Sequence, residues 1–260
     1  MSRSFSSYGI ILQTQRSSES HKRVLLFLKE RGLLWAYAHG ALKSKSRFLG
    51  TTEPYMLSNV ELYHQPTKDT YSIKEIQVVD EFSGIREEGE KFVVANCWAE
   101  LLIKSSLLGE TTRVFNLLVQ GLKILSSGNT SQLPFINLQF LMRYIAYGGL
   151  FATVDSCIEC GANLKVGDKI FWELECGGLI CKSCLKPNSM LIKDEEYRYI
   201  KETMSMRFAS AFLVDVKDCR ILFLIGIFVN LVCQNFGLKL NGFDYYLSHF
   251  RGEQDDLEKK

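Results

Sequence analysis

Four cysteines stand in two Cys-x-x-Cys pairs, Cys157-Ile158-Glu159-Cys160 and Cys181-Lys182-Ser183-Cys184, with twenty residues between them. That is the spacing of a zinc ribbon. Each pair makes a tight turn, helped after the first by Gly161, and aims two thiolates at one tetrahedral centre. The stretch between them reads as a hairpin, Lys169 to Leu174 returning through Gly177-Gly178-Leu179-Ile180, which brings the pairs together. With four protein ligands no position is left for water, so one structural Zn2+ is expected, not a catalytic one. Lys165, Lys169 and Lys182 soften the charge of four thiolates. A redox reading needs only one pair, in a thioredoxin-like βαβ setting that this sequence lacks. For Cys176 two readings stay open, a non-ligating thiol or a substitute ligand, while Cys97, Cys219 and Cys233 sit in apolar helical stretches and read as core.

A second group joins cations to aromatic rings. Lys43-Ser44-Lys45-Ser46-Arg47 follows a strand that carries Trp35, Tyr37 and His39, and Arg23 opens the strand before it. Lysine and arginine neutralise phosphates, and aromatic faces stack on unpaired bases. Period-two alternation puts Trp35, Tyr37 and His39 on one side. Spacing alone leaves open whether that side meets a nucleic acid or the core of its own domain.

Charge distribution supports a local polyanion site. The net charge is only +2, but residues 1–50 hold nine Lys or Arg against two acids, leaving the rest of the chain acidic. A catalytic constellation is not found: GxSxG, GxxxxGK[ST], HExxH and GxGxxG are all missing, and His21, His39, His64 and His249 are scattered. The run Glu87-Glu88-Gly89-Glu90 suits a helix start rather than acid–base chemistry. No enzyme is expected.

The elements that must position these groups are an α+β, multidomain set. At 260 residues, 47% hydrophobic and 23% charged, the chain reads as globular. Strands are expected over Tyr8–Gln15, Val24–Leu28, Leu33–His39, Thr52–Tyr63 and Tyr71–Val79. Five short strands in a basic unit suggest an OB-type barrel, although an SH3-like barrel has the same pattern. Helical periodicity follows over Arg86–Gly109, Thr111–Leu125 and Leu133–Tyr147, then over Asp194–Met204, Asp218–Phe236 and Phe243–Phe250. The expected division is a barrel at 1–82, helices at 83–152, a four-cysteine module at 153–190, helices at 191–252 and a frayed, charged tail at 253–260. The apolar run Ile221–Cys233 is too short to span a bilayer. Met1 to Tyr8 lack the pattern of a secretory leader, so a reducing cytoplasm is expected.

At this point the residues resemble a known family. Tyr37-Ala38-His39-Gly40-Ala41, the basic loop, Gly50 and Glu53-Pro54-Tyr55 are similar to the signature of the RecO family of bacterial recombination mediators. Cys157 to Gly161 and Gly177 to Cys184 resemble that family's zinc segment, and Phe236 to Leu240 its C-terminal helix. His39 stands where the family often has Arg, and the usual Lys-Ser after the final Leu is replaced around Leu240-Asn241-Gly242. The resemblance implies a DNA repair protein of the RecF pathway. Such a protein binds single- and double-stranded DNA, anneals complementary strands, and acts with RecR to load RecA onto strands coated by single-stranded DNA-binding protein (SSB). Arg23, Lys43, Lys45 and Arg47 then contact phosphates, and Trp35, Tyr37 and His39 line the same DNA site. The SSB tail, acidic and hydrophobic, calls for an apolar groove rimmed by cations, for which Arg207, Phe212, Phe236, Lys239 and Phe243 are the candidates. A nucleoid-associated protein of the bacterial cytoplasm is implied. Two other classes stand beside this one: a zinc-stabilised protein-interaction scaffold, and a nucleic-acid enzyme.

Overall fold

The computed structural model describes residues 3–106, 109–151, 153–214, 216 and 220–257, the last seven as helix backbone. The chain divides into two compact units, residues 1–95 with 111–126, and residues 96–110 with 127–260.

The first unit is a closed five-stranded barrel, ordered β1-β2-β3-β5-β4. Its strands are β1 (Ser4–Arg16), β2 (Lys22–Leu28), β3 (Gly32–Ala38), β4 (Leu57–Gln65) and β5 (Thr70–Asp80). Closure depends on the length of β1. Ser4–Ile10 pair with β4 and Gly9–Arg16 with β2, the second ladder shifting register between Ile11 and Gln13. The ring is completed where β3 runs parallel to β5, Tyr37 beside Ser72. That crossover is the Greek-key arrangement of an OB-type barrel, which decides between the two barrel types the strand pattern allowed. Closure also leaves no exposed sheet edge. Val24, Leu26, Leu28, Ala36, Ala38, Val60, Leu62 and Ile73 point inward, and Phe48 from the β3–β4 loop plugs the interior.

The strand expected from Thr52 begins only at Leu57. Residues 39–56 are turns, because Gly50 and Tyr55 take positive φ, +75° and +63°, and Pro54 offers no backbone N–H. Buried Tyr55 stays fixed there: its N–H donates to the Ile11 carbonyl at 2.9 Å, and its ring packs edge-on against Phe92 at 5.5 Å. The single helix expected from Arg86 is broken at Glu88 into α1 (Gly84–Glu87) and α2 (Gly89–Lys104). Helix α3 (Thr111–Ser127) carries Phe115, which meets Phe27 on the outside of β2 at 5.4 Å.

In the second unit, α4 (Leu133–Tyr147) stops at the expected Gly148-Gly149. A three-stranded sheet ordered β7-β6-β8 follows, with β6 (Ile170–Glu173), β7 (Gly178–Cys181) and β8 (Met190–Ile192). Helices α5 (Asp194–Met204), α6 (Phe208–Ala211), α7 (Ile221–Phe236) and α8 (Asn241–Leu257) complete the unit. Leu108 and Cys219, read from sequence as helical, lie outside the described residues. Helix α8 runs past Phe250 through Leu257, into the stretch expected to fray; 258–260 lie outside the described residues. The apolar α7 packs against α4 and α8, and no helix among the described residues is long and apolar enough to cross a membrane. Trp98 anchors the core, stacked on Phe140 at 4.1 Å and donating Nε1–H to Asn137 Oδ1 at 2.9 Å. Fully buried Glu196 on α5 is paired with Arg220, at the start of α7, at 2.6 Å.

Candidate functional site

The four cysteines converge. The Sγ atoms of Cys157, Cys160, Cys181 and Cys184 all lie within 4.8 Å of one another, the one group of three or more His, Cys, Asp or Glu that does so among the described residues. Local backbone makes each pair. Gly161, at φ +72°, closes the first turn, with its N–H donating to the Cys157 carbonyl at 2.9 Å. Cys181 ends β7, and the single 3-10 turn Lys182–Cys184 swings the fourth thiol back. The Ile158 N–H donates to the Leu179 carbonyl at 3.0 Å and fastens the first turn to β7. Gly178 is required there, because a Cβ would come within 2.7 Å of the Ile158 side chain.

The donor set fits a metal ion. Tetrahedral thiolates about 2.3 Å from a zinc ion stand about 3.8 Å apart, and Cys160 and Cys181 are 3.8 Å apart. A disulfide would need about 2.05 Å, and every described cysteine is free. Burial pushes the Cys157 thiol up, but hydrogen bonds from the backbone of Cys160, Cys181 and Glu159 outweigh it and bring it down to about 6. Hydrogen bonding with Cys160, and then burial, push Cys184 up to about 12. Metal ligation requires thiolates, so an ion held here would displace whatever thiol protons remain. Exposed Cys176 sits at the β6–β7 turn, where its N–H donates to Glu173 Oε2, outside the four-sulfur group. Cys97 is fully buried in α2, and burial pushes its thiol up; Cys233 on α7 is half-buried.

The outer face of the barrel gathers the second group. On β3 the inward Ala36 and Ala38 alternate with Trp35 and Tyr37, so these two point out of the barrel, and His39 follows, exposed, in the turn just past the strand end. The core reading of that side is thereby removed. Arg23 sits opposite Tyr37 in the β2–β3 ladder, with its guanidinium 4.3 Å from the Trp35 ring centroid. Tyr37 and His39 stack at 5.8 Å, and His39 Nε2 is 3.3 Å from Ser72 Oγ on β5. Burial, and then His21, whose ring meets that of His39 edge-on at 5.1 Å, lower the pKa of His39. It is an uncharged ring at neutral pH. Lys43, Lys45 and Arg47 are exposed, and among the described residues no carboxylate lies within ion-pair distance of them. Their loop is rooted by two bonds, Gly40 N–H to His21 Nδ1 at 2.9 Å and Leu42 N–H to the Ser20 carbonyl at 3.1 Å. His21 and Ser72 escape sequence reading because they stand 18 and 33 residues from His39, and only strand pairing brings them near.

The five groove candidates are placed differently. Arg207, Phe236 and Lys239 are exposed, Phe212 is half-buried, and Phe243 is fully buried. Phe243 therefore belongs to the core and offers no groove wall, because it shares the inward face of α8 with Tyr246 and Phe250. An apolar cavity of about 350 Å³ does open between α7, α8 and the sheet, lined by Leu174, Met190, Phe223, Ile227, Asn230 and Leu247, with none of the five among its walls.

Comparison with known proteins gives two family matches, Recombination protein O N terminal over residues 1–82 and Recombination protein O C terminal over residues 86–225. Among similar proteins is a DNA repair protein RecO of Syntrophus aciditrophicus, 30% identical over 180 residues, 68% of each chain. Another, from Caldanaerobacter subterraneus subsp. tengcongensis, is 28% identical over 68% of this chain and 69% of its own. A third, from Clostridium novyi, is 23% identical over 82% of both chains.

Proposed function

This chain belongs to the RecO family, and we propose that it is a DNA repair and recombination mediator that works by binding DNA without making or breaking bonds. It binds single- and double-stranded DNA, anneals complementary strands, and with RecR loads RecA onto SSB-coated single strands in the bacterial cytoplasm, at the nucleoid. The observation that carries this reading is the barrel face: three exposed, unpaired cations, Lys43, Lys45 and Arg47, beside outward Trp35 and Tyr37.

Annealing asks for a surface that screens two phosphate backbones while leaving base edges free. Lys43, Lys45 and Arg47 supply point charges on a loop rooted at Gly40 and Leu42. Arg23 holds the Trp35 ring by a cation–π contact, and the aromatic face so fixed is the kind on which an unpaired base stacks. His39 adds a planar stacking surface beside Tyr37 and no charge near neutrality.

The metal is zinc, one ion held by Cys157, Cys160, Cys181 and Cys184, and its role is structural. A four-thiolate set suits zinc and leaves no open coordination position. The ion would lock the β6–β7 hairpin to the turn before it and contribute to the fold. DNA affinity comes from the barrel. The SSB tail is received on the helical unit, where the α7–α8 cavity supplies apolar walls.

The test is single-strand binding by a Lys43→Glu, Lys45→Glu, Arg47→Glu variant across a salt series. Loss of three phosphate contacts lowers the magnitude of the salt slope by about 2, with weaker annealing of SSB-coated oligonucleotides. A folded variant with the parent's affinity and slope would reject the DNA assignment and favour a protein-interaction scaffold.

A further inference from the structure

Strand register extends the barrel face well beyond β2 and β3. Arg23 on β2 faces Tyr37 on β3, Tyr37 lies beside Ser72 on β5, and Ser72 faces Tyr63 on β4. Cross-strand neighbours share a face of the sheet, so these four side chains form one outward row that crosses the strands. Tyr63 alternates with Leu62, which is fully buried in the barrel, and Ile73 beside it is buried too. Lys74 stands at the register shift where two β5 residues oppose one position of β4, and it is exposed, with Nζ 5.3 Å from the Tyr63 ring centroid. Tyr63 with Lys74 thus repeats, two strands away, the pairing of a ring with a cation made by Trp35 with Arg23.

Charge sets the direction of this row. Two residues along from Tyr63 on the same face, Glu61 and Glu75 sit opposite each other across β4 and β5. Facing carboxylates repel a phosphate backbone, so a strand leaving Tyr37 is steered across the sheet to Tyr63 and kept from running along β4. Neighbouring strands are about 4.8 Å apart, which puts Arg23 and Tyr63, three strands on, roughly 14 Å from each other along the row.

Resting on the single-strand reading above, we infer that Tyr63 and Lys74 form a second nucleic-acid subsite, in which Tyr63 stacks a base and Lys74 turns from its ring to the adjacent phosphate. Unpaired DNA crosses the barrel from the basic loop over Tyr37 and Ser72 to β4, and the Glu61–Glu75 pair marks the edge of its path.

The test measures binding of a fluorescein-labelled oligothymidylate by the full chain. Tyr63→Ala weakens binding about tenfold, the effect of one lost stacking contact, while Tyr63→Phe keeps parental affinity because the ring remains. Lys74→Gln reduces the magnitude of the salt slope by about 0.7, one single-strand phosphate, and Glu61→Gln with Glu75→Gln tightens binding. A 5-iododeoxyuridine oligonucleotide crosslinks to Tyr63. The inference is overturned if folded Tyr63→Ala and Lys74→Gln variants bind as the parent does while the Lys43, Lys45, Arg47 charge reversal abolishes binding. If that reversal is also silent, the DNA reading itself has failed.

Discussion

His39 on the barrel face takes up its proton only below the ordinary histidine range. Burial, and then His21, place its folded pKa below the ordinary value of 6.5. The unfolded chain therefore takes up the proton first, and this group subtracts stability as pH falls through about 6.5. Above that pH both states are uncharged and the effect vanishes. His39→Gln should flatten the loss of stability between about pH 7 and pH 5, read as the urea midpoint against pH. His39→Arg should add a phosphate contact at every pH and raise the magnitude of the salt slope by about 0.7 for single strands. A variant with the parent's slope would show that this ring does not face the backbone of bound DNA.

Helix α5 and helix α7 are joined by one ion pair on which more depends than its exposure suggests. Glu196 is fully buried and accepts from Arg220 Nε at 2.6 Å and from Nη2 at 2.9 Å, while its own position at the start of α5 caps the Lys193 N–H at 2.9 Å. Removing Arg220 strands a buried carboxylate, at a cost of about 3–5 kcal/mol. Arg220→Ala should show that loss by urea unfolding, and adding Glu196→Gln to it should restore much of it, because the amide carries no charge. Sequence reading does reach elements of this size when the period is long. Helix α4 shows three full turns of apolar repeat, and the hairpin between the cysteine pairs has Gly177-Gly178 to mark its bend. It fails where a single backbone angle decides, as at Tyr55, whose positive φ turns an apparent strand start into loop. It also fails at β8, whose three residues are too few to show alternation, and at Phe243, since aromatic residues at a helix start look alike whether they face core or solvent.

For the molecule as a whole, the four converging cysteines and the basic loop are legible because each lies within a short, patterned segment. What joins them to other elements is not. The parallel contact of β3 with β5, on which both the OB topology and the Tyr37–Ser72–Tyr63 row depend, links residues about 35 apart and leaves no local trace. The two sites also belong to different units, and chelation tests whether their stabilities are separate. On the proposed zinc site, chelation should release one equivalent of zinc and raise amide exchange across residues 157–192, with the β1–β5 amides still protected. Equal loss of protection in the barrel would mean that the ion supports both units. The discontinuity of the first unit also bears on synthesis at the ribosome. Its last segment, residues 111–126, emerges only after residues 96–110, which belong to the second unit. Trp98, Leu101 and Leu102 are fully buried in the finished protein, yet Phe140 on α4, on which Trp98 stacks, follows about forty residues later. At roughly 5–20 residues per second, Trp98 waits on the nascent chain for about 2–8 seconds before that partner is made, a window in which a stalled ribosome would present a sticky half-helix.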